Sequence, residues 1–206
     1  MSEEELRKEM EEKMRLYQAQ RNAAAVDDFR GLSPDQMHGL LYQPFQPPCV
    51  VEFTPDVPDG LVEEMPLIKL TLCLLDRLAD GELKLTAKGN LSRKFVHELY
   101  DLRLYPQSLY DDGHFKLNRQ DEFTPAVLVR YLPEIAGLTK VRKGKMSLTK
   151  KGREVYQGPH QDLFRELFLT YAFKFNFSFL HGEPEIPFLQ QGLGFVLYLL
   201  HLDGKE

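Results

Sequence analysis

The sequence predicts a mainly α protein (class α+β) that carries one small three-stranded β-sheet. Apolar residues recur at helical spacing in several segments of the 206-residue chain. Short alternating stretches, typical of β-strands, occur at 83–86 and within 138–149. Hydrophobic residues make up 43% and charged residues 28% of the chain, which is ordinary globular usage and excludes wholesale disorder.

The N-terminal region, residues 1–45, is predicted to form a helical arm. Its first helix covers 3–29 and carries a narrow apolar stripe at spacings of four, four and three: Leu6, Met10, Met14 and Tyr17. Such a stripe usually packs on its own domain, and a homodimer contact is the alternative. Ser33 and Pro34 are typical of a helix start, and the short helix that they open stops before Pro44.

A proline-rich connector is predicted over residues 46–66. Six prolines lie between 44 and 66, a density that excludes helix and breaks any strand except Cys49–Thr54. The next helix starts at Leu67 and ends at Asp80-Gly81. Its apolar residues share one face: Leu67, Leu70, Leu74, Leu75 and Leu78.

Residues 67–157 are predicted to form a winged-helix-like core. After the first helix come a strand at 83–86, a helix capped by Ser92, and a third helix that Thr124-Pro125 opens and Pro133 ends. A β-hairpin with Gly144 at its tip follows. The order helix, strand, helix, helix, strand, turn, strand is that of a winged helix, although the 103–123 connection is long for such a fold.

The C-terminal region, residues 158–206, is predicted to be an aromatic helical pair packed on the core. The first helix ends near Lys174 and the second covers Phe188–Leu202. Charged residues interrupt the first helix and the second is too short to cross a bilayer, so no membrane span is expected.

Two segments of the core are similar to each other. DGELKLTAKGN (80–90) aligns with KGKMSLTKKGR (143–153) at Gly, Leu, Thr, Lys and Gly. The similarity fits either an internal repeat or two strands of one sheet that end in the same turn chemistry. We favour the second interpretation because the surrounding helices align poorly.

Four segments together resemble a group of uncharacterised bacterial proteins: LSPDQM (32–37), LTAKGNLSRKFVHEL (85–99), KFNFSF (174–179) and QQGLGFVLYLL (190–200). An LTxxGNL segment and a C-terminal FN-aromatic stretch recur in that group, and some relatives are linked to SEC-C zinc modules or plasmid-ORF-like domains. The resemblance covers most of 32–200 and implies no known activity. The SEC-C cysteine pattern does not occur in this sequence.

A cluster of basic residues on and after the hairpin is the best candidate for a functional surface. Seven cations without an intervening acid occupy 140–153: Lys140, Arg142, Lys143, Lys145, Lys150, Lys151 and Arg153. Because the chain carries −5 overall, the remainder carries −12. A localised basic strip on an acidic protein is typical of contact with a phosphate backbone. The alternative is a solvated sheet edge that lysines keep soluble.

The third helix offers little for reading a base sequence. From Pro125 to Ile135 only Arg130, Tyr131 and Glu134 could contact base edges, and the other residues are apolar. Arg130 therefore joins the hypothetical nucleic-acid-binding set, and the contact expected is with the DNA backbone and independent of sequence. Binding to another protein, without nucleic acid, is the alternative; an exposed groove beside the 171–179 aromatics would suit it.

No catalytic or metal-binding motif is found. The tightest acid–histidine cluster, Asp111, Asp112 and His114, is explained by a DDG turn, and the histidines lack metal-ligand spacing. Two cysteines exclude a disulfide scaffold, and the acidic N-terminus does not suit a signal peptide. We therefore expect a non-enzymatic, cytoplasmic regulatory or interaction protein without cofactor.

Overall fold

The computed structural model describes residues 2–54, 57–106, 116–180, 182, 184 and 186–204. The chain divides into two units. The first comprises residues 1–55 and 186–206, and the second comprises residues 56–185. This division differs from the predicted one, which grouped 158–206 as a single C-terminal element.

The helices and strands of the larger unit follow the predicted order. Its helices are α3 (Asp59–Glu64), α4 (Pro66–Ala79), α5 (Arg93–Asp101), α6 (Thr124–Ile135), α7 (Lys150–Gln157) and α8 (His160–Phe173). Its strands are β1 (Leu83–Lys84), β2 (Thr139–Arg142) and β3 (Lys145–Leu148). A mainly α fold with a three-stranded sheet, as predicted, is confirmed.

The sheet is antiparallel, and its central strand is β3. The order across it is β1-β3-β2, so the last strand in the sequence lies between the other two. A two-residue turn joins β2 to β3, and both of its residues, Lys143 and Gly144, have positive φ (52° and 72°). Type I′ hairpin turns require this conformation, which explains the glycine predicted at the tip.

The core of the larger unit lies between α4, α5, α6 and the inner face of the sheet. Helix α4 supplies much of it, because Leu70, Leu74, Leu75 and Leu78 are buried along the predicted face. Met146 and Leu148 of β3 pack into the same cluster. Ser92 accepts a hydrogen bond from the Phe95 amide and so begins α5 where the sequence predicts.

Two predictions for this unit are wrong. Helix α3 lies inside the predicted connector, because the residues between Pro58 and Pro66 contain no proline and leave room for one and a half turns. Helix α6 continues two residues beyond Pro133, since a proline in the last turn removes only one intrahelical hydrogen bond. Cys49–Thr54, in the smaller unit, adopts no strand, and no strand was predicted there beyond the absence of proline.

The smaller unit is built from an N-terminal and a C-terminal segment of the chain. Its helices are α1 (Glu3–Ala23), α2 (Pro34–Tyr42), α9 (Pro187–Gln191) and α10 (Leu193–Asp203). The packing of α2 and α10 is close, because Cβ of an alanine at Gly194 would lie 2.6 Å from the Leu40 carbonyl oxygen. Arg30 donates two hydrogen bonds, of 2.6 and 2.8 Å, to the Asp203 carboxylate.

The ends of α1 and α10 differ from prediction. Helix α1 stops at Ala23 rather than residue 29, because the Val26 amide and carbonyl bond with Leu32 and Gly31 and close a loop instead. Gly192 divides the predicted 188–202 helix into α9 and α10. Within the described ranges, no helix combines the length and the apolar character that a bilayer crossing needs.

No described part of the chain buries the apolar stripe of α1. None of the side chains of α1 is buried, and its four stripe residues are about half exposed or more: Leu6 46%, Met10 60%, Met14 57% and Tyr17 56%. The usual interpretation of such a stripe, packing on its own domain, does not hold in this structure.

Candidate nucleic-acid interface

The outer face of the sheet carries the basic residues of β2. Side chains alternate between the two faces of a strand. Thr139 is buried and Val141 half-buried against the core, whereas Lys140 and Arg142 are exposed on the opposite face. The alternation therefore directs both cations of β2 to solvent.

A row of three cations crosses the sheet. In the strand register Lys84 of β1 lies opposite Lys145 of β3, which lies opposite Arg142 of β2. Neighbouring strands are about 4.8 Å apart, so the three side chains begin side by side on the exposed face. Lys140 lies two residues before Arg142 on the same face of β2, opposite Ser147.

Among the described residues, one acid forms an ion pair with this row. Lys145 donates a 2.8 Å hydrogen bond to Glu82 at the beginning of β1. This contact lowers the pKa of the Glu82 carboxyl and raises the pKa of the Lys145 ammonium, as expected for an exposed ion pair. In the part of the chain that the structure describes, Lys84, Lys140, Arg142 and the turn residue Lys143 have no such partner.

The predicted cations beyond the hairpin lie on α7 and have local partners. Lys151 donates to Glu166 at 2.7 Å and to the Ala136 carbonyl at 3.2 Å, so it connects α7 to α8. Lys150 lies 3.8 Å from Glu154 one turn along the helix. Arg153 is exposed, and no ion pair is found for it among the described side chains. The predicted basic cluster 140–153 therefore divides into two parts: the solvent-exposed face of the sheet, and α7, whose lysines form ion pairs.

Arg130 lies in the interior and cannot contact a ligand at the surface. It is 5% exposed, its Nε donates to the Gly89 carbonyl at 3.0 Å, and its guanidinium pairs with Glu134. It therefore ties the 86–90 turn to α6. This placement removes Arg130 from the predicted binding set.

Helix α6 is enclosed and does not resemble a base-reading helix. Val129 and Leu132 are buried, and the ring of Tyr131 packs edge-to-face on Phe179 at 5.3 Å. Phe175, 2% exposed, belongs to the same core. The aromatic stretch 171–179, which the protein-binding alternative places beside a groove, thus packs largely against α6 and the core. Phe179 is half exposed.

Each of the two similar segments contains a strand of the same sheet, β1 in 80–90 and β3 in 143–153. Thr86 comes after β1, and its hydroxyl accepts from the Asn90 amide. Thr149 comes after β3, and its hydroxyl accepts from the Gly152 amide at the start of α7. The two segments therefore belong to neighbouring strands of one sheet, as the favoured interpretation has it, but the predicted identity of the turns is wrong. Thr86 closes a non-helical turn, whereas Thr149 caps the start of α7.

Sequence reasoning missed two residues of this face, Lys84 and Glu82. The alternation Leu83-Lys84-Leu85 already placed Lys84 on a polar face. Its position beside Arg142 requires the pairing of β1 with β3, which separates the two residues widely in sequence. Glu82 precedes the strand and is brought to Lys145 by the same pairing.

No metal site is found in the described part of the chain, where no group of three or more His, Cys, Asp or Glu side chains converges. Asp111, Asp112 and His114 lie outside the described residues. Cys49 is buried and Cys73 is half-buried, and both are free thiols. Burial, with the nearby Asp76 and Glu98, raises the pKa of Cys73.

Residues 63–161 match the family model of the Y4jL N-terminal domain. The matched range runs from the end of α3 into α8 and includes all three strands of the sheet. Over this range the chain is similar to an uncharacterised family, in agreement with the predicted resemblance at that level. The LTAKGNL segment (85–91) lies inside the match. No curated protein and no solved structure matches the chain.

Proposed function

We propose that the protein is a non-enzymatic interaction protein that contacts the phosphate backbone of nucleic acid through the outer face of its sheet. One observation carries the proposal: the register aligns Lys84, Lys145 and Arg142 across three strands, on a chain of net charge −5. Phosphates are the ligands that such a local cationic surface attracts on an otherwise acidic protein.

The element order supports a winged-helix-like arrangement for residues 66–148, with the β2–β3 hairpin as the wing. The usual base-reading helix of that arrangement corresponds to α6, whose residues are mostly buried and apolar. The contact we propose is therefore independent of base sequence and uses the sheet and the wing alone.

The expected affinity is modest and strongly dependent on salt. Four cations of this face lack an acidic partner in the described structure: Lys84, Lys140, Arg142 and Lys143. If each neutralises one phosphate, the logarithm of the binding constant falls against the logarithm of salt concentration with a slope of about −3.6.

Fluorescence anisotropy of a labelled duplex of arbitrary sequence, titrated at several salt concentrations, tests the proposal. The variant Lys140→Gln/Arg142→Gln/Lys143→Gln keeps a polar, hydrogen-bonding side chain at each position and removes three charges. We expect the slope of this variant to be less steep by about 2.7 and its binding at low salt to be largely lost.

A matched control removes three exposed lysines of the same unit outside this face, Lys94, Lys116 and Lys174, also as glutamine. Equal losses in the two triple variants would show that net charge alone governs binding and would refute the sheet-face site. A flat titration of the natural sequence at low salt would refute nucleic-acid contact and favour the alternative, a protein-interaction function.

A further inference from the structure

We infer that α1 is a self-association element that pairs with α1 of a second copy of this chain in antiparallel orientation. The inference concerns the smaller unit and is independent of the nucleic-acid proposal. It begins from the exposed stripe Leu6, Met10, Met14 and Tyr17, which covers three helical turns and which no described part of the same chain buries.

The stripe has a charged residue at each end, and these two residues are opposite in sign. Glu3 lies three residues before Leu6, and Arg21 lies four residues after Tyr17, so both continue the same helix face. Read along the helix, this face has an acid at one end, four apolar residues in the middle and a base at the other end. Such a face is complementary to itself only when one copy is reversed.

The antiparallel register follows from the spacing. Pairing Met10 with Met14 of the second copy sets Leu6 against Tyr17 and Glu3 against Arg21, with every pair nearly symmetric about position 12. A two-fold axis through that position generates each contact twice, as in other isologous dimers. The parallel alternative places Glu3 against Glu3 and Arg21 against Arg21.

The charge of the whole helix favours the same orientation. Residues 3–12 contain six glutamates and two cations, a net charge of −4, whereas residues 13–23 contain three cations and no acid. Reversal brings the acidic half of each helix beside the basic half of the other. Parallel pairing would instead bring like charges together over the full length of α1, about 31 Å.

Sedimentation velocity of the full chain over a wide range of concentration tests self-association. We expect a reversible dimer of twice 23.9 kDa, and Met10→Gln should weaken it at least about tenfold, because that side chain is buried twice in the pair. Leu16→Gln is the control on the same helix: Leu16 is 60% exposed, as is Met10, but lies off the stripe and should leave the dimer unchanged. A chain that stays monomeric, or equal effects of the two variants, would overturn the inference.

Charge reversal tests the orientation. In the antiparallel pair, Glu3→Arg and Arg21→Glu should each weaken the dimer about tenfold, because each creates two repulsive contacts, and the double variant should restore it. In a parallel pair each single reversal replaces one like-charge contact with another and changes little. Single variants that dimerise as well as the natural chain would therefore refute the antiparallel arrangement. Circular dichroism of each variant confirms that α1 remains helical.

Discussion

Replacing Gly152 with alanine should strongly destabilise the 56–185 unit. Gly152 lies in the first turn of α7, where its Cα packs on the Leu138 carbonyl, and a Cβ there would lie 1.9 Å from that oxygen. A Cβ atom essentially never lies closer than 3.0 Å to another heavy atom, so the backbone of one of the two segments must move. The same oxygen accepts hydrogen bonds from the Thr149 amide and hydroxyl, at 3.0 and 3.2 Å, and these bonds are strained by any such movement.

The magnitude follows from three contributions. Overpacking against backbone costs about 3 kcal/mol, at the upper end of its usual range. Loss of a hydrogen bond to Leu138 adds about 1 kcal/mol. The higher helix propensity of alanine offsets this by about 1 kcal/mol. The free energy of unfolding should therefore fall by about 3 kcal/mol.

Urea unfolding followed by far-UV circular dichroism measures this change, a suitable signal because the chain has no tryptophan. Gly60→Ala is the control in the same unit. Gly60 lies in α3, and a Cβ there meets no atom within 4 Å, so its midpoint should stay the same or rise. If both variants unfold at the same urea concentration, the reasoning from the close approach is refuted.

Two further predictions concern polar contacts of the larger unit. Arg130→Met should lower the free energy of unfolding by about 2 kcal/mol, because it leaves the Gly89 carbonyl and Glu134 without their buried donor; a midpoint in urea equal to that of the natural chain would contradict this. The amides of Asn118 and Arg119 lower the pKa of Glu122 below its ordinary value, so its contribution to stability is full above that value and is lost as the pH falls through the lowered pKa. Glu122→Gln should therefore reduce the urea midpoint at neutral pH, and the difference from the natural chain should shrink as the pH falls below 4.5, the ordinary glutamate pKa; a difference that does not vary with pH would show that the carboxylate charge is unimportant.

Local signals made the element order of the larger unit predictable. Ser92 and the Thr124-Pro125 pair mark the starts of α5 and α6, and Gly144 marks the hairpin turn, because each supplies a capping group or a backbone conformation that few residues can supply. Such signals act within a few residues. They are independent of how distant segments pack.

The placement of individual charged residues was less predictable for the same reason. Arg130 has the type and position of a base-contacting residue, and only the approach of the 86–90 turn makes it a buried structural residue. Lys84 joins the basic face only through the pairing of β1 with β3. The exposed stripe of α1 was expected to be covered by its own domain, since periodicity identifies an apolar face without identifying what covers it.

The position of β2 at the border of the sheet has a consequence for the evolution of this surface. A border strand presents unpaired amides and carbonyls to which a strand of another molecule can add, and charged side chains on it oppose such addition. Lys140 and Arg142 would therefore guard against aggregation even in a relative that had lost all affinity for phosphate. Selection for solubility alone can preserve them, so a change of both to apolar residues should be rare; β1 is the other border strand, and the same argument applies to Lys84.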